Sequence, residues 1–372
     1  MMSKPTQITI AHLTSAHSDT DIRIFHKECQ SLKKAGYNVI EITLKGQSRI
    51  ENGVEIRSAN YEPKSRFDRM RKASKQIYEL ALKSNADLFH FHDPELLSVG
   101  LKLKKAGKKV IYDAHEDTPR QILSKPYLNR PLRKLISWGY EKYENYIAKR
   151  LDAIVVATPF IANRYKKINA NTVTICNFPL FDEIDFEEEN EPNSRSGLCY
   201  IGGISMIRGL KEMIQVAGAA DVELKLAGKW DDTLNPHVHQ LKGWKKVKRL
   251  GFLNRKELGD LKKSSVAGLV ILLPEPNHVN SYPIKMFEYM AAGLPVIASN
   301  FPLWREILES TKAGFCTDPY DIDKITEQVN YLIEHPDVAK KMGETGRQLV
   351  IDKYNWNKEE KKLIQLYSEI LQ

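Results

Sequence analysis

Two short stretches in the second half of the chain hold residue types suited to anions and polyols. In NHVNSYPIKMFEYMAAGLPVIASNFPLWRE, residues 277–306, Ser281 and Pro283 mark a helix start. Lys285 and Glu288 then fall one turn apart on one face of that helix. The N–H groups and positive end of such a helix suit a phosphate, and a carboxylate one turn in can accept hydrogen bonds from a ribose diol. A surface ion pair of small energetic consequence fits the same two residues. Earlier, CYIGGISMIRGLKEM (199–213) runs from a strand into Gly202–Gly203 and on to a helix opening near Gly209. Paired glycines let backbone approach a phosphate, with Arg208 as a fixed cation at the helix start. The plainer reading of this second stretch is a tight turn with a solvated arginine.

The N-terminal half adds three polar segments, each following an apolar run: HLTSAHSDTDIRIFHKE, FHDPELL and YDAHED. They contain His17, Asp19, Asp21, Arg23, His90, His92, Asp93, His115, Glu116 and Asp117. Asp21–Arg23 reads equally as a contact for a substrate or as a local ion pair. His115 reads as a ligand contact or as a loop histidine capped by Glu116 or Asp117. H-x-H and H-E-D supply metal-ligand types, but neither has HExxH or cysteine-zinc spacing, so no metal is expected. G-x-S-x-G, the P-loop GxxxxGK[ST] and GxGxxG are all absent, which removes the anchors of serine hydrolase, kinase-type and dehydrogenase readings.

The elements that must position these residues alternate. Apolar runs at Gln7–Leu13, Tyr37–Leu44, Leu88–His92, Lys109–Asp113, Ala153–Ala157 and Thr172–Ile175 suit parallel strands covered on both faces. Helical patterns lie between them at Ile22–Ala35, Phe67–Leu82, Pro94–Ala106 and Pro131–Lys149. PLFDEIDFEEENEPNSRS, residues 179–196, breaks the rhythm as an acidic linker. A second alternation follows, with strands at Gly197–Ile201, Val222–Leu226, Ala267–Leu273 and Pro295–Ser299. Its helices are Gly209–Ala220, Lys256–Lys263, Ile284–Ala292, Asp321–Glu334 and Pro336–Asp352, and Asn357–Leu371 forms a last separate helix. The expected architecture is α/β: two doubly wound, Rossmann-like domains, 1–178 and 197–354, facing a cleft.

The stretch around Glu288 resembles the donor-binding motif of the retaining GT-B glycosyltransferases of family 4, E-x(7)-E followed by a G-x-P-V-I strand. EYMAAGLPVIAS matches the second glutamate of that motif, and Asn280 stands where the first would fall. The resemblance implies that Glu288 holds the nucleotide ribose and that Asn280 lies near the donor sugar and phosphates. Gly202, Gly203 and Arg208 match the family's glycine-rich turn and basic helix start, with Gly203 where relatives often carry a second basic residue and Lys211 and Lys285 as substitutes for it. His115 matches the histidine that contacts the donor sugar. His17, Asp21 and Arg23 occupy the loop that faces the acceptor. Arg208, Asn280 and His115 are thus the expected catalytic set, and Gly202, Gly203, Ser281, Lys285 and Glu288 the donor-binding one. The resemblance further implies retention of configuration without a metal or a resident cofactor. The last helix is expected to return to the first domain.

Charge narrows the partners. Of a net +9, residues 1–178 carry +13, residues 179–196 carry −6 and residues 197–372 carry +2. Basic stretches at Lys64–Lys75 and Lys125–Arg150, the latter interleaved with Tyr127, Trp138, Tyr140, Tyr143 and Tyr146, suit an anionic membrane surface. A solvated helix with its aromatics turned inward is the alternative. No nucleic-acid-binding signature accompanies them. Four scattered cysteines, no secretory n-region and no apolar run near ~20 residues point to a cytoplasmic protein lying on the inner face of a membrane. The wording of the motifs resembles bacterial enzymes of O-antigen, capsule or exopolysaccharide synthesis. The expected reaction moves a sugar from a nucleotide-diphospho sugar, UDP- ahead of GDP-, to a lipid-diphosphate-linked glycan. A nucleotide-sugar epimerase and a non-catalytic sugar-nucleotide or membrane binder are the competing classes.

Overall fold

The computed structural model describes residues 7–123, 129–180 and 195–372. Two compact units emerge, Met1–Asn177 with Trp356–Gln372, and Phe178–Asn355. Most of the acidic linker, residues 181–194, and Lys125 and Tyr127 of the second basic stretch lie outside the described residues.

The first unit is built on eight strands: β1 (Thr9–Leu13), β2 (Asn38–Thr43), β3 (Arg49–Glu51), β4 (Val54–Ser58), β5 (Leu88–Phe91), β6 (Lys109–Ala114), β7 (Ala153–Val156) and β8 (Thr172–Thr174). Their order is β3-β4-β2-β1-β5-β6-β7-β8, parallel throughout except for β3 against β4. The sequence pattern did not suggest β3 and β4. Asn52 (φ 47) and Gly53 (φ 78) join them in the doubly left-handed turn that Asn-Gly favours. Helices Thr118–Leu123 and Pro159–Tyr165 were also unforeseen, each too short to show a period.

The sheet's two faces differ in chemistry. Ala11, Leu13, Ile40, Ile42, Phe89, Phe91, Val110 and Tyr112 build an apolar core. The intervening His12, Glu41, His90 and Asp113 are equally buried on the other face. The strands are covered on both faces as expected, but on this second face the four polar residues follow the apolar Ile10, Val39, Leu88 and Ile111. The segment Ile22–Cys29, wound as a π-helix, and the C-terminal helix Trp356–Leu371 belong to the same unit. Trp356 donates its indole N–H to Ser31 (2.8 Å), and Glu359 accepts from the Cys176 amide (2.9 Å).

The second unit has six parallel strands: β9 (Leu198–Ile201), β10 (Leu224–Ala227), β11 (Val247–Gly251), β12 (Ala267–Val270), β13 (Val296–Ser299) and β14 (Gly314–Thr317). Their order is β11-β10-β9-β12-β13-β14. Strands β11 and β14 escaped notice in the sequence, where two apolar residues each, Val247 and Leu250 or Phe315 and Cys316, give little signal. Strand β12 ends at Val270 rather than Leu273, since the chain turns after it. In both sheets the winding direction reverses once, between β1 and β5 and between β9 and β12. A doubly wound sheet opens a crevice at the carboxyl ends of its strands there. All four cysteines are buried and free, and among the described residues no helix is long and apolar enough to cross a membrane.

Candidate functional site

In the second unit the predicted donor residues gather at the β9/β12 reversal. Gly202 and Gly203 follow β9, and Arg208 closes the short turn Met206–Arg208 before the helix Leu210–Ala219. The Arg208 guanidinium donates to the Gly203 carbonyl at 3.3 Å, and Tyr200 Oη donates to the same oxygen at 2.7 Å. A Cβ on Gly203 would stand 2.4 Å from Arg208 Nη1, so a side chain there would displace the guanidinium. Gly202 (φ 122) brings its backbone beneath Lys285, whose Nζ lies 3.2 Å from where a Cβ would be.

The helix Ile284–Ala291 supplies Lys285 and Glu288. Its cap is Pro283, not Ser281 as expected, because the Ser281 hydroxyl is spent on the His278 carbonyl at 2.8 Å. Ser281 instead helps close the turn that precedes the helix, and its own carbonyl accepts from Trp304 Nε1 (2.8 Å). Asn280 ends that turn, half-buried. Helix placement depends on Tyr289, whose ring lies on Gly268 of β12, 2.3 Å from any Cβ there, and whose hydroxyl accepts from the Ile201 amide at 2.8 Å. Glu288 is thereby presented half-buried beside the carboxyl ends of β9 and β12. Lys285 Nζ is sealed from solvent with no hydrogen-bond partner and sits 3.6 Å over the Tyr200 ring. Burial, reinforced by Arg208 and opposed by Glu288, lowers its pKa to about 7. Lys211 is exposed on the following helix.

In the first unit His17, Asp93 and His115 gather at the β1/β5 reversal. The Asp93 carboxylate accepts from Thr14 Oγ1 (2.8 Å), Ser15 N (2.5 Å) and Ala16 N (3.1 Å) and pairs with His17 Nδ1 at 3.1 Å. The hydrogen bond to Asp93 lifts His17 to about 9, so it is an imidazolium at neutral pH. Its ring meets the ring of His115 edge-on at 5.2 Å. His115 is not capped by its neighbours: Glu116 takes Gln121, Asp117 faces Arg120 and Arg164, and His115 Nδ1 lies 3.8 Å from Asp113. Beside His17 opens a pocket of about 330 Å³, also lined by Ser15, Lys45, Ser65 and Arg69.

Asp21 and Arg23 have other work. Asp21 caps the π-helix by accepting from the amides of Arg23 (2.8 Å) and Ile24 (3.0 Å). Arg23 is buried, forks onto Asp113 (2.8 and 3.1 Å), lies 3.2 Å from Glu28 and donates to the Ile175 carbonyl. Local ion pairing between the two does not describe them, since Arg23 pairs with Asp113 and Glu28 and Asp21 with backbone amides.

Behind these groups lies a buried chain of bonds whose middle and far end the motifs did not reveal. Burial pushes Asp113 up, but Arg23 and the neighbouring histidines outweigh it and hold the carboxyl well below its usual range. Asp113 therefore accepts from His92 Nδ1 (3.1 Å), and the remaining polarity follows from one hydrogen per neutral ring. His12 Nδ1 donates to His92 Nε2 (2.9 Å), Tyr367 Oη donates to His12 Nε2 (3.2 Å), and His90 Nδ1 donates to Tyr367 Oη (2.8 Å). Burial lowers the pKa of all three histidines, consistent with neutral rings. His12, Glu28, His90 and His92 bring ligand-type atoms within 4.8 Å of one another, as do His92, Asp113 and His115. Both His12 nitrogens and both His92 nitrogens are already committed within the chain. The period-two alternation of polar residues in β1 and β5 was the signal that could have exposed it.

Two family models match the chain in succession, Glycosyltransferase Family 4 over residues 23–178 and Glycosyl transferases group 1 over residues 181–349. The chain belongs to family 4 of the GT-B glycosyltransferases. Among curated relatives, an uncharacterized glycosyltransferase of Methanocaldococcus jannaschii is 26% identical over 176 residues, 46% of this chain and 44% of that protein. The match thus spans less than half of that relative's length. Among solved structures, WaaG, a glycosyltransferase involved in lipopolysaccharide biosynthesis, superposes with a TM-score of 0.74 at 12% identity, covering 96% of this chain and 99% of that one. The Anabaena protein HepE in complex with UDP-glucose gives 0.71 at 14% identity, covering 98% and 100%. The chain shares with these neighbours the GT-B fold, two parallel-sheet α/β domains.

Proposed function

We propose that this glycosyltransferase transfers a sugar from a nucleotide-diphospho sugar to a lipid-diphosphate-linked glycan, with retention of configuration. The observation that carries the donor assignment is the convergence of Arg208 and Lys285 on the Gly202–Gly203 backbone, with Glu288 one turn along the same helix as Lys285. Glu288 accepts hydrogen bonds from the ribose diol, and the cations and helix amides neutralise the departing diphosphate. The base is assigned to the segment around Phe252, whose ring is 82% exposed just beyond β11. The bond between the anomeric carbon and the phosphate oxygen breaks as the acceptor hydroxyl attacks from the same face. The donor phosphate takes the acceptor's proton, so the reaction needs neither an enzyme nucleophile nor a metal. In the second unit Asn280 serves the transferred sugar; in the first, His115 keeps the role that the family motif implies, and imidazolium His17 favours an anionic acceptor. HepE, whose solved complex holds UDP-glucose, favours a UDP-sugar. WaaG's part in lipopolysaccharide biosynthesis favours a surface-polysaccharide acceptor.

The first unit's helix Arg130–Ala148 supports work at the inner membrane face. Leu135 and Trp138 are each 62% exposed, and Tyr143 and Tyr146 also face outward, so its aromatics are not all turned to the core. Arg133, Lys134 and Lys142 share this helix.

Nucleotide release from a panel of UDP- and GDP-sugars tests the reading. Release that depends on a lipid-linked sugar supports the transferase. Release without acceptor supports an epimerase, and silence supports a binder. In the active pairing, Glu288→Ala raises the donor KM about ten- to a hundred-fold through loss of charged hydrogen bonds. Parental rate and KM in that variant would remove the ribose assignment.

A further inference from the structure

Lys285 is an ammonium group in an unusual position. Its nitrogen is buried, makes no hydrogen bond and lies 3.6 Å over the face of Tyr200. A buried charge without a partner is costly, and a cation–π contact offsets only part of that cost. Such a group is retained where an anion arrives to use it. The surrounding backbone is cut to its reach. Gly202 leaves just enough room for Nζ, and Gly203 leaves room for the Arg208 guanidinium, which any side chain at 203 would push aside. A turn shaped in this way cannot bear a second basic residue of its own.

We propose that Lys285 is the second cation of the diphosphate site, held on the Tyr200 ring and swung past Gly202 onto the phosphates when a donor binds. This rests on the nucleotide-sugar reading and adds the source of the missing charge: the helix after β12 instead of the turn after β9. The lysine starts close to the turn, its Nζ 3.2 Å from where a Cβ on Gly202 would be and 3.6 Å over the Tyr200 ring. Four groups face the ammonium from the elements around it. Arg208 from the turn lowers its pKa further and Glu288 from its own helix raises it, while the Tyr200 phenol, pushed up to about 12 by burial, stays neutral. His278 from the preceding turn is held neutral by burial, with its Nδ1 on the Leu273 carbonyl at 2.9 Å. With its pKa lowered to about 7, Lys285 takes up a proton as the diphosphate binds, so donor affinity falls as pH rises past neutrality.

Calorimetric titration of the full chain with inorganic pyrophosphate, UDP-glucose and GDP-mannose tests this. The pH arm uses the two sugar esters, whose diphosphate charge is constant across the range. Wild-type affinity for the ester that binds should fall roughly twenty-fold from pH 6.5 to 8.5, the ratio set by a group titrating near 7. Lys285→Met should weaken diphosphate binding about ten- to a hundred-fold at pH 6.5. Its thermal midpoint should be equal to or above wild type, showing that the fold is intact. Lys285→Arg should keep wild-type affinity and lose the pH dependence. Wild-type affinity and pH profile in Lys285→Met overturn the proposal while leaving the nucleotide-sugar reading standing. Lysine-dependent binding of pyrophosphate with neither nucleotide sugar bound sustains the proposal and removes that choice of donor. Binding of none of the three probes overturns both.

Discussion

His17 shows how a single residue's state is set by a partner far away in sequence. Asp93 raises it to about 9, whereas an unfolded histidine titrates near 6.5. A raised folded value stabilises fully below the unfolded pKa and loses that contribution as pH climbs through the folded one. The ion pair therefore helps most below about pH 6.5 and not at all well above 9. His17→Gln should cost about 2 kcal/mol at pH 6 and almost nothing at pH 10, the figure being reduced for the 29% exposure of the side chain. Urea titrations of both proteins across that range give the difference, in which other titrating groups cancel. A gap that does not change with pH would show that the pair is uncharged. Lys285 and Glu288 could be read from the chain itself because helical spacing alone sets them on one face. The partners of Arg23 and His17 could not, since Asp113 lies on β6 and Asp93 just after β5, and only the sheet order brings them near.

At the scale of elements, the long parallel strands and amphipathic helices were legible because a period repeated along them. The Asn52–Gly53 hairpin was also legible in principle, its dipeptide being a strong turn signal, but β3 has only three residues. What periodicity did not reveal is why polar residues interrupt β1 and β5. They are spaced to form the buried chain that ends on Tyr367, and so to seat the C-terminal helix in the first unit. Tyr367→Phe keeps the ring but leaves His90 Nδ1–H without an acceptor and His12 Nε2 without a donor. Two orphaned buried groups should cost about 2–4 kcal/mol in urea unfolding. Hydrogen exchange of the helix Trp356–Leu371 should rise in the same variant, as its docking free energy falls. A loss under about 0.5 kcal/mol, within the scatter of surface substitutions, would mean the chain is not formed.

At the scale of the molecule, the charge divides as the fold does. The unit comprising 1–177 and 356–372 carries +13, and the unit 178–355 carries −4. A general polyelectrolyte would show no such division. The positive unit also presents Leu132, Leu135, Ile136, Trp138, Tyr143 and Tyr146 along one helix, a stripe too apolar for a merely solvated face. Arg150 lies over the Tyr146 ring at 3.6 Å, extending the basic flank. On the proposed membrane role, basic charge attracts an anionic surface at about 1 kcal/mol per residue, while an inserted apolar stripe would resist salt. The two contributions can be separated by co-sedimentation with vesicles of phosphatidylcholine alone or with phosphatidylserine. Neutralising Arg133, Lys134 and Lys142 together should lower partition onto the anionic vesicles roughly a hundred-fold at low salt. It should leave the weak binding to neutral ones unchanged. Leu135→Ser with Trp138→Ser should instead abolish the part of binding that survives high salt. Equal sedimentation of both variants and wild type would assign the +13 to the acceptor's phosphates rather than to the bilayer. The pocket beside His17, Lys45 and Arg69 would then be the first place to test by substitution.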